Sequence, residues 1–179
     1  MGVSHHLYEV ENWGVGELWE TNGRIAAHDP PTRRRPNVPT NHPKGTPGVP
    51  TETVSDRPLQ NGDDFVPELL QRIHRFFVGE RNDFADVPLD LDDCTSFQRD
   101  VMEALRLVPW GEVVAYGELA VLAGYPRAAR AVGTFCAQNR YFLLVPCHRV
   151  VATGGIGSYG PLGIAYKRRL LRLEGHGAL

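Results

Sequence analysis

Two runs that carry apolar residues flank an Asn-Gly pair near the start of the chain. The runs are Gly16 to Glu20 and Ile25 to Ala27, with Asn22-Gly23 between them. This arrangement is the strongest short-range signal of a β-hairpin, because Asn and Gly both accept a positive φ. The pattern therefore predicts an N-terminal β-hairpin.

Helical periodicity appears next between Phe65 and Phe77. Leu69, Ile73 and Phe76 fall on the same side of the predicted helix, and Gly79 is a natural stop. We expect this helix to cover one face of the sheet that the hairpin begins.

The stretch from Asp29 to Pro58 has a different composition. It holds eight of the fourteen prolines, few apolar residues and the triplet Arg33-Arg34-Arg35. Such a segment buries too little apolar surface to order itself, so it is predicted to be an extended or mobile loop. A solvated linker is the favoured interpretation of the arginine triplet, and a contact with DNA is the alternative.

A second set of helices is predicted from Thr95 onward. Thr95 and Gln98 form a capping box, and the apolar positions that follow recur on one helical face until Pro109. Val113 to Ala115 is short and β-prone. Two short helices then follow, from Tyr116 to Gly124 and from Arg127 to Gln138, joined by a turn with Gly and Pro.

This helical pair resembles a helix-turn-helix. Ala128, Ala129 and Ala131 would let the second helix approach a groove closely, while Arg130 is long enough to reach past the backbone. Ordinary helix packing, with Arg130 as a solvated surface residue, is the alternative that this pattern leaves open.

Candidate chemistry follows an apolar run, Phe142 to Val145, which is predicted to be a buried strand. The run is followed by Pro146, Cys147 and His148. Cysteine attacks as the thiolate, and an imidazole nearby can take its proton. Neighbouring residues on a strand point in opposite directions, so His148 reaches Cys147 only if the backbone turns or a water relays the proton. A buried structural cysteine is the alternative.

Composition limits the remaining possibilities. The 179 residues are 42% hydrophobic, which is enough for one large domain or two small ones. We expect neither a membrane span nor a secretory signal, and a protein that stays in the cell. The three cysteines, Cys94, Cys136 and Cys147, fit neither a disulfide framework nor a zinc cluster, so a free thiol is predicted.

The charges are unevenly distributed along the chain. Residues 1–94 hold 9 Lys and Arg against 16 Asp and Glu, a balance of −7, whereas residues 95–179 hold 10 against 5, a balance of +5. The basic half could face a polyanion, although a solvated surface explains the same numbers.

Taken together, the motifs of the second half resemble the O6-alkylguanine-DNA alkyltransferase family. They are Ala128 to Gly133, Asn139, Pro146 to Val150, Gly154 to Gly160 and Leu170 to Gly175. The resemblance covers residues 95–179 closely and residues 1–94 loosely. It implies an α/β fold with an N-terminal ribonuclease H-like domain, residues 1–93, and a mostly helical, winged helix-turn-helix-like domain, residues 94–179.

The resemblance also implies a role for each residue of the site. Cys147 would be the alkyl acceptor, His148 a base acting through water, and Glu174 the carboxylate that orients His148. Asn139 would brace the turn between the recognition helix and the active-site strand. Substrate-binding positions would be Tyr116, Val150, Tyr159 and Gly160. DNA-binding positions would be Arg130, Tyr116, Ala129, Arg127, Tyr125 and Thr153.

The implied activity is direct repair of O6-alkylguanine in double-stranded DNA. The base would be flipped out, and its alkyl group would pass once to Cys147 and stay there as a thioether. We expect no cofactor and no metal, a monomer, and a cytoplasmic, DNA-associated protein. The alternatives are an alkyltransferase-like protein that binds the lesion without transfer, a Cys-His hydrolase, and a plain DNA-binding regulator.

Three positions depart from the family pattern. Arg140 stands where a proline commonly follows the asparagine, Phe142 is bulky at a pocket-wall position, and Pro161 replaces a glycine. A narrow pocket is the interpretation, and it predicts that a methyl group is transferred well and a benzyl group poorly.

Overall fold

The computed structural model describes residues 2–33 and 65–177, and it confirms a mixed α/β fold. Three strands form an antiparallel sheet in the order β1-β2-β3: β1 (Ser4–Val10), β2 (Gly14–Thr21) and β3 (Arg24–Thr32). Asn22 and Gly23 join β2 to β3 with φ of 51° and 75°. The predicted hairpin is therefore confirmed, and β1 adds a strand that the pattern did not predict.

The predicted loop from Asp29 to Pro58 is wrong at its start, because β3 continues to Thr32. Proline is tolerated there because the pairing of β2 with β3 is irregular between Val15 and Glu17, opposite Pro30 and Pro31. The rest of that predicted loop, from residue 34, lies outside the described residues.

Helix α1 (Phe65–Phe77) is confirmed, and it buries Leu69, Ile73, Phe76 and Phe77. Helix α2 (Ser96–Arg106) begins at the predicted capping box: the Thr95 amide donates to Gln98 Oε1 at 2.9 Å, and the Gln98 amide to Thr95 Oγ1 at 3.2 Å. The predicted helix from Phe65 to Phe77 and the predicted start of α2 are thus both confirmed.

The second half continues with β4 (Val114–Ala115), α3 (Tyr116–Leu122), α4 (Ala129–Gln138), β5 (Val150–Val151) and α5 (Gly163–Leu173). The short strands β4 and β5 pair in parallel. Helix α4 begins two residues later than predicted, because Arg127 has a φ of 76° and cannot be helical. Helix α5 was not predicted.

The buried strand predicted from Phe142 to Val145 is also wrong. All four residues are buried, but the Val145 amide donates to the Tyr141 carbonyl at 2.9 Å and Leu143 has a φ of 61°. The segment folds back on itself as a turn, and only its start is paired with a strand, because the Phe142 amide donates to the His28 carbonyl of β3 at 3.1 Å.

A single hydrophobic cluster runs through both halves of the described chain. It includes Ile73 and Phe76 of α1 together with Leu170 of α5, and the Phe76 ring lies 5.0 Å from that of Trp110. The division at residue 94 stays a prediction. None of the described helices has the length and apolar character that a membrane span requires.

Candidate active site

Cys147 begins a short 3-10 turn, Cys147–Arg149, which lies between Pro146 and β5. Its side chain is largely buried, with 9% of the residue exposed. The backbone therefore turns at Cys147 and His148, which is one of the two conditions under which the histidine could take the thiol proton. The thiol lies at the edge of the core, as predicted.

Asn139 ties the segment before Cys147 together. Its Nδ2 donates to the Val145 carbonyl at 2.9 Å and to Cys147 Sγ at 3.3 Å, while its Oδ1 accepts from the Tyr141 amide at 3.0 Å. One amide side chain thus closes the turn and contacts the sulfur. Asn139 therefore lies at the turn that the resemblance implied it would brace.

His148 and Glu174 form a buried pair. His148 Nε2 lies 2.8 Å from Glu174 Oε1, and the two side chains are 1% and 0% exposed. A carboxylate only accepts, so Nε2 must carry the hydrogen and Nδ1 must carry the lone pair. His148 Nδ1 is buried and has no hydrogen-bond partner among the described residues. The pair therefore leaves a basic nitrogen free on the side away from the carboxylate.

Arg149 is a second partner of Glu174, and the sequence analysis did not assign it. Its Nε lies 3.0 Å from Glu174 Oε2 and its NH2 2.9 Å from Oε1, while NH1 donates to the Val108 carbonyl at 2.7 Å. Burial alone would raise the pKa of Glu174, but His148 and Arg149 lower that pKa to about 2. The carboxylate is ionised at neutral pH.

The imidazole of His148 is neutral under the same conditions. Burial lowers its pKa, and the attraction of Glu174 opposes that effect without reversing it. Part of the lowering of the Glu174 pKa comes from a positive charge on His148, and a neutral imidazole would not supply that charge. We assign the neutral ring, because Arg149 already supplies Glu174 with a permanent cation.

The thiol itself is held as a weak acid by burial. Burial raises the pKa of Cys147, while hydrogen bonds from Asn139 and Tyr159 and the charge of Lys167 lower it. The protein therefore surrounds the sulfur with donors and a cation but keeps it protonated until a base acts. Each of these groups would favour the thiolate once it forms.

Lys167, like Arg149, is a functional candidate that was not predicted from the sequence. It is fully buried, and its Nζ donates to the carbonyls of Val150 and Ile156 at 2.6 Å each and of Ser158 at 3.3 Å. Burial lowers its pKa, whereas the neighbouring thiols of Cys147 and Cys136 raise it. The ammonium thus ties down the loop that follows β5 and directs positive charge at the sulfur.

We expect Lys167→Met to slow the reaction of Cys147 with iodoacetamide about tenfold at neutral pH, because a nearby cation favours the thiolate. The pH profile of the rate should shift to higher pH, since the pKa of Cys147 rises when the cation is removed. Arg168→Met, an exposed change on the same helix, is the control. An unshifted profile in Lys167→Met would show that Lys167 only supports the loop.

Two tyrosines and two glycines complete the surroundings of the thiol. Tyr159 lowers the pKa of the Cys147 thiol, and the side chain of Ser158 lowers that of Tyr116, which burial raises. Gly157 has a φ of 73°, and a Cβ there would lie 3.4 Å from the Tyr116 ring. Gly160 is exposed and begins a 3-10 turn, Gly160–Leu162. A larger residue at position 157 would strain the backbone and crowd the Ala152 amide nitrogen, which lies 3.2 Å from such a Cβ.

The residues predicted to bind DNA lie in three environments. Arg127 and Arg130 are exposed at the turn and at the first turn of α4, with Ala129 half-buried between them. Thr153 is exposed beyond β5. Tyr125 points inward: its hydroxyl donates to Asp100 Oδ2 at 2.6 Å and its ring meets Phe97 edge-on. Tyr125 therefore fixes the turn between α3 and α4.

The three departures from the family pattern also have definite places. Arg140 is paired with Asp93, Pro161 is exposed, and Phe142 is buried in an aromatic cluster. The Phe142 ring stacks with Phe77 at 6.4 Å and meets Tyr166 at 6.0 Å. The Phe142 ring thus packs against Tyr166, which is itself stacked on Tyr159.

No group of three His, Cys, Asp or Glu side chains in residues 2–33 and 65–177 could hold a metal ion. The expected absence of a metal stays a prediction.

Comparison with known proteins gives a consistent result. The family model of the 6-O-methylguanine DNA methyltransferase DNA-binding domain matches residues 96–176, which contain Cys147, His148 and Glu174. A methylated-DNA–protein-cysteine methyltransferase of Metallosphaera sedula is 41% identical over 121 residues, 68% of this chain and 74% of that protein. One from Mycobacterium leprae is 43% identical over 114 residues, 63% of this chain and 67% of that protein.

Among solved structures, the crystal structure of Mycobacterium tuberculosis OGT in complex with DNA superposes with a TM-score of 0.71 at 31% identity. The match covers 95% of this chain and 92% of that one. The similarity therefore extends beyond the segment matched by the family model into the N-terminal sheet.

Proposed function

This chain belongs to the methylated-DNA–protein-cysteine methyltransferase family, and from that premise we propose that it repairs DNA directly by taking the alkyl group of O6-alkylguanine onto Cys147. One observation carries the proposal. A buried thiol is followed by a histidine whose Nε2 is tied to Glu174 at 2.8 Å and whose Nδ1 is available as a base. This is the arrangement of nucleophile, base and orienting carboxylate that covalent catalysis requires.

The transfer proceeds in one displacement. A water relays the thiol proton to His148 Nδ1, and the charge that develops on the imidazole is stabilised by Glu174. The sulfur then forms a bond to the alkyl carbon as the bond from that carbon to O6 breaks, and the departing guanine takes up, through water, the proton that His148 received, so the imidazole is neutral again. Water does not cleave the resulting thioether, so each protein molecule acts once.

The substrate base must leave the duplex before sulfur can reach it, because O6 lies within the base stack. We propose that α3 and α4 form a helix-turn-helix within a winged domain, residues 94–179, and that the sheet and α1 form a ribonuclease H-like domain, residues 1–93. Arg130 would fill the gap in the duplex, and Tyr116 would press on the phosphate of the flipped nucleotide. Arg127, Ala129 and Thr153 would form the surrounding contact surface, and Tyr125 would support it by fixing the turn between α3 and α4.

The flipped guanine would be recognised mainly by the backbone. The Val150 carbonyl accepts from Lys167, but a carbonyl oxygen has two lone pairs and could also accept from the guanine amino group, as could the carbonyl of Cys147. The Gly160 amide and the Tyr116 hydroxyl would donate to O6 and N3, and Tyr159 would line the site. We also propose a monomer that works inside the cell.

The experiment that tests this function is intact-protein mass measurement after incubation with a duplex that contains one O6-methylguanine. We expect a gain of one methyl group per molecule, located on Cys147 by peptide mapping, and a yield that stops at one equivalent. Continued turnover would instead indicate a hydrolase, and binding without a mass gain would indicate a lesion-binding relative. Either result would overturn the proposal.

Replacing Arg130 by alanine is expected to lower the rate of transfer from duplex DNA by about tenfold or more, since the cost of unstacking the base is no longer offset. Transfer from the free nucleobase O6-methylguanine should be unchanged, because that substrate needs no flipping. Arg168→Ala, which removes an exposed arginine from α5, is the control for lost positive charge. An equal loss on both substrates would contradict the assigned role.

The narrow-pocket hypothesis predicts faster transfer from O6-methylguanine than from O6-benzylguanine in otherwise identical duplexes. Its structural support is the half-buried Tyr159, which lowers the pKa of the Cys147 thiol and is stacked on Tyr166. Single-turnover rates on the two duplexes measure the difference. Equal rates would refute the hypothesis.

A further inference from the structure

The turn that precedes the acceptor cysteine, residues 139–146, is attached to the N-terminal half by an unusually well-formed ion pair. We call these residues the acceptor turn. The Arg140 guanidinium lies across the Asp93 carboxylate, with NH1 2.7 Å from Oδ2 and NH2 2.6 Å from Oδ1. NH2 also donates to the Asp90 carbonyl at 3.0 Å. The Arg140 side chain is 13% exposed and the Asp93 side chain 57%, so the guanidinium end of the fork is shielded from solvent while the carboxylate end is open to it.

Backbone pairing attaches the acceptor turn to β3 at the same place. The His28 amide donates to the Arg140 carbonyl at 2.8 Å, and the Phe142 amide donates to the His28 carbonyl at 3.1 Å. The side chains of His28 and Tyr141 add hydrogen bonds to the carbonyls of Phe142 and Asp90. The turn is thus held between the edge of the sheet and the segment that leads into α2.

The other end of the acceptor turn holds the sulfur. Asn139, directly before Arg140, donates to Cys147 Sγ at 3.3 Å and to the Val145 carbonyl at 2.9 Å. Asn139 in turn accepts from the Tyr141 amide at 3.0 Å, directly after Arg140. A displacement of Arg140 therefore moves the neighbouring Tyr141 amide, which donates to Asn139, and through Asn139 it moves the sulfur.

We propose that Arg140 is a positioning residue for alkyl transfer, whose fork with Asp93 sets the place of Cys147 Sγ relative to the bound base. The inference rests on the proposed function. Arginine has no ring that fixes its backbone, so the side-chain fork supplies the restraint. Errors of about 1 Å in the placement of a reacting atom can cost roughly 100-fold in rate, so loss of one restraint has a measurable effect.

The test uses Asp93→Asn in the full chain and the free nucleobase O6-methylguanine, which is neutral and needs no DNA contact. We expect the second-order rate of Cys147 methylation to fall about fivefold to tenfold, an effect of the size that small displacements produce. Asp92→Asn is the matched control. Asp92 is adjacent to Asp93, and its carboxylate lies 3.1 Å from Arg24. The substitution breaks that ion pair, which does not involve the acceptor turn.

The dependence of the methylation rate on ionic strength separates a positioning role of Arg140 from a purely structural one. Salt weakens the Arg140–Asp93 fork, so the rate of the Asp92→Asn control should fall about twofold between 0.05 and 1 M salt, while that of Asp93→Asn should stay constant. Equal rates and equal salt dependence in the two variants would overturn the inference, whatever their melting temperatures. Absence of methylation in the unaltered protein would instead refute the proposed function itself.

Discussion

A Cys147→Ser variant is expected to bind a duplex with O6-methylguanine as tightly as the unaltered protein and to gain no methyl group. Serine is nearly isosteric, and the Asn139 amide that contacts Sγ at 3.3 Å can donate to a hydroxyl as well. The fold and the binding surface should therefore persist. An alcohol is a far weaker acid than a thiol, and the neutral His148 cannot ionise it, so transfer should fall below detection.

The matched control for this prediction is Cys136→Ser. Cys136 lies on α4, and burial raises the pKa of its thiol strongly, so it is a poor nucleophile and its removal should leave transfer intact. Intact mass and a lesion-duplex binding titration on both variants give the two readouts. A methyl group found on Cys136 or Cys94 in the Cys147→Ser protein would mean that the acceptor is misassigned.

Local signals in the sequence were enough for the elements that local interactions define. Asn22-Gly23 predicted the hairpin and Thr95 with Gln98 predicted the start of α2, because each signal lies within four residues of its consequence. The buried run from Phe142 to Val145 was misinterpreted as a strand, because burial gives the same apolar pattern in a strand and in a compact turn. Only Asn139, which closes that turn by its side chain, distinguishes the two.

The roles of Cys147, His148 and Glu174 were predicted from the resemblance to the family, but the groups that set their charge were not predicted. Arg149 and Lys167 are buried cations, and both residue types are almost always exposed. One signal for Lys167 was present. It lies three and four residues before the buried Leu170 and Leu171, on the same face of α5. A lysine on an apolar helical face needs acceptors inside the protein, and here they are loop carbonyls.

Glutamine in place of Glu174 is expected to cause the largest combined loss of stability and transfer. The change leaves the buried Arg149 guanidinium without its counter-charge, and breaking a buried pair in this way costs about 3 to 5 kcal/mol in the free energy of unfolding. Glutamine can also donate to His148 Nε2, which would place the hydrogen on Nδ1 and remove the base. Transfer should then fall by roughly 100-fold or more.

The stability difference between Glu174→Gln and the unaltered protein should depend on pH in a defined direction. The pKa of Glu174 is about 2 in the folded chain against an ordinary value of 4.5. A carboxyl with a lowered pKa stabilises the fold above its unfolded value, and that contribution disappears as the pH falls through the folded value. The difference in unfolding free energy, measured by urea titration, should be full above about pH 4.5 and should shrink toward pH 2.

Two further variants separate the effect on stability from the effect on chemistry. Glu112→Gln changes an exposed glutamate next to Gly111, whose amide donates to Glu174 at 3.3 Å, and it should alter neither property. Arg149→Gln removes the cation but keeps the His148–Glu174 contact, so it should destabilise the fold while transfer falls less than in Glu174→Gln. If Glu174→Gln transferred at the unaltered rate, the carboxylate would have no part in orienting His148, and the base would have to be assigned elsewhere.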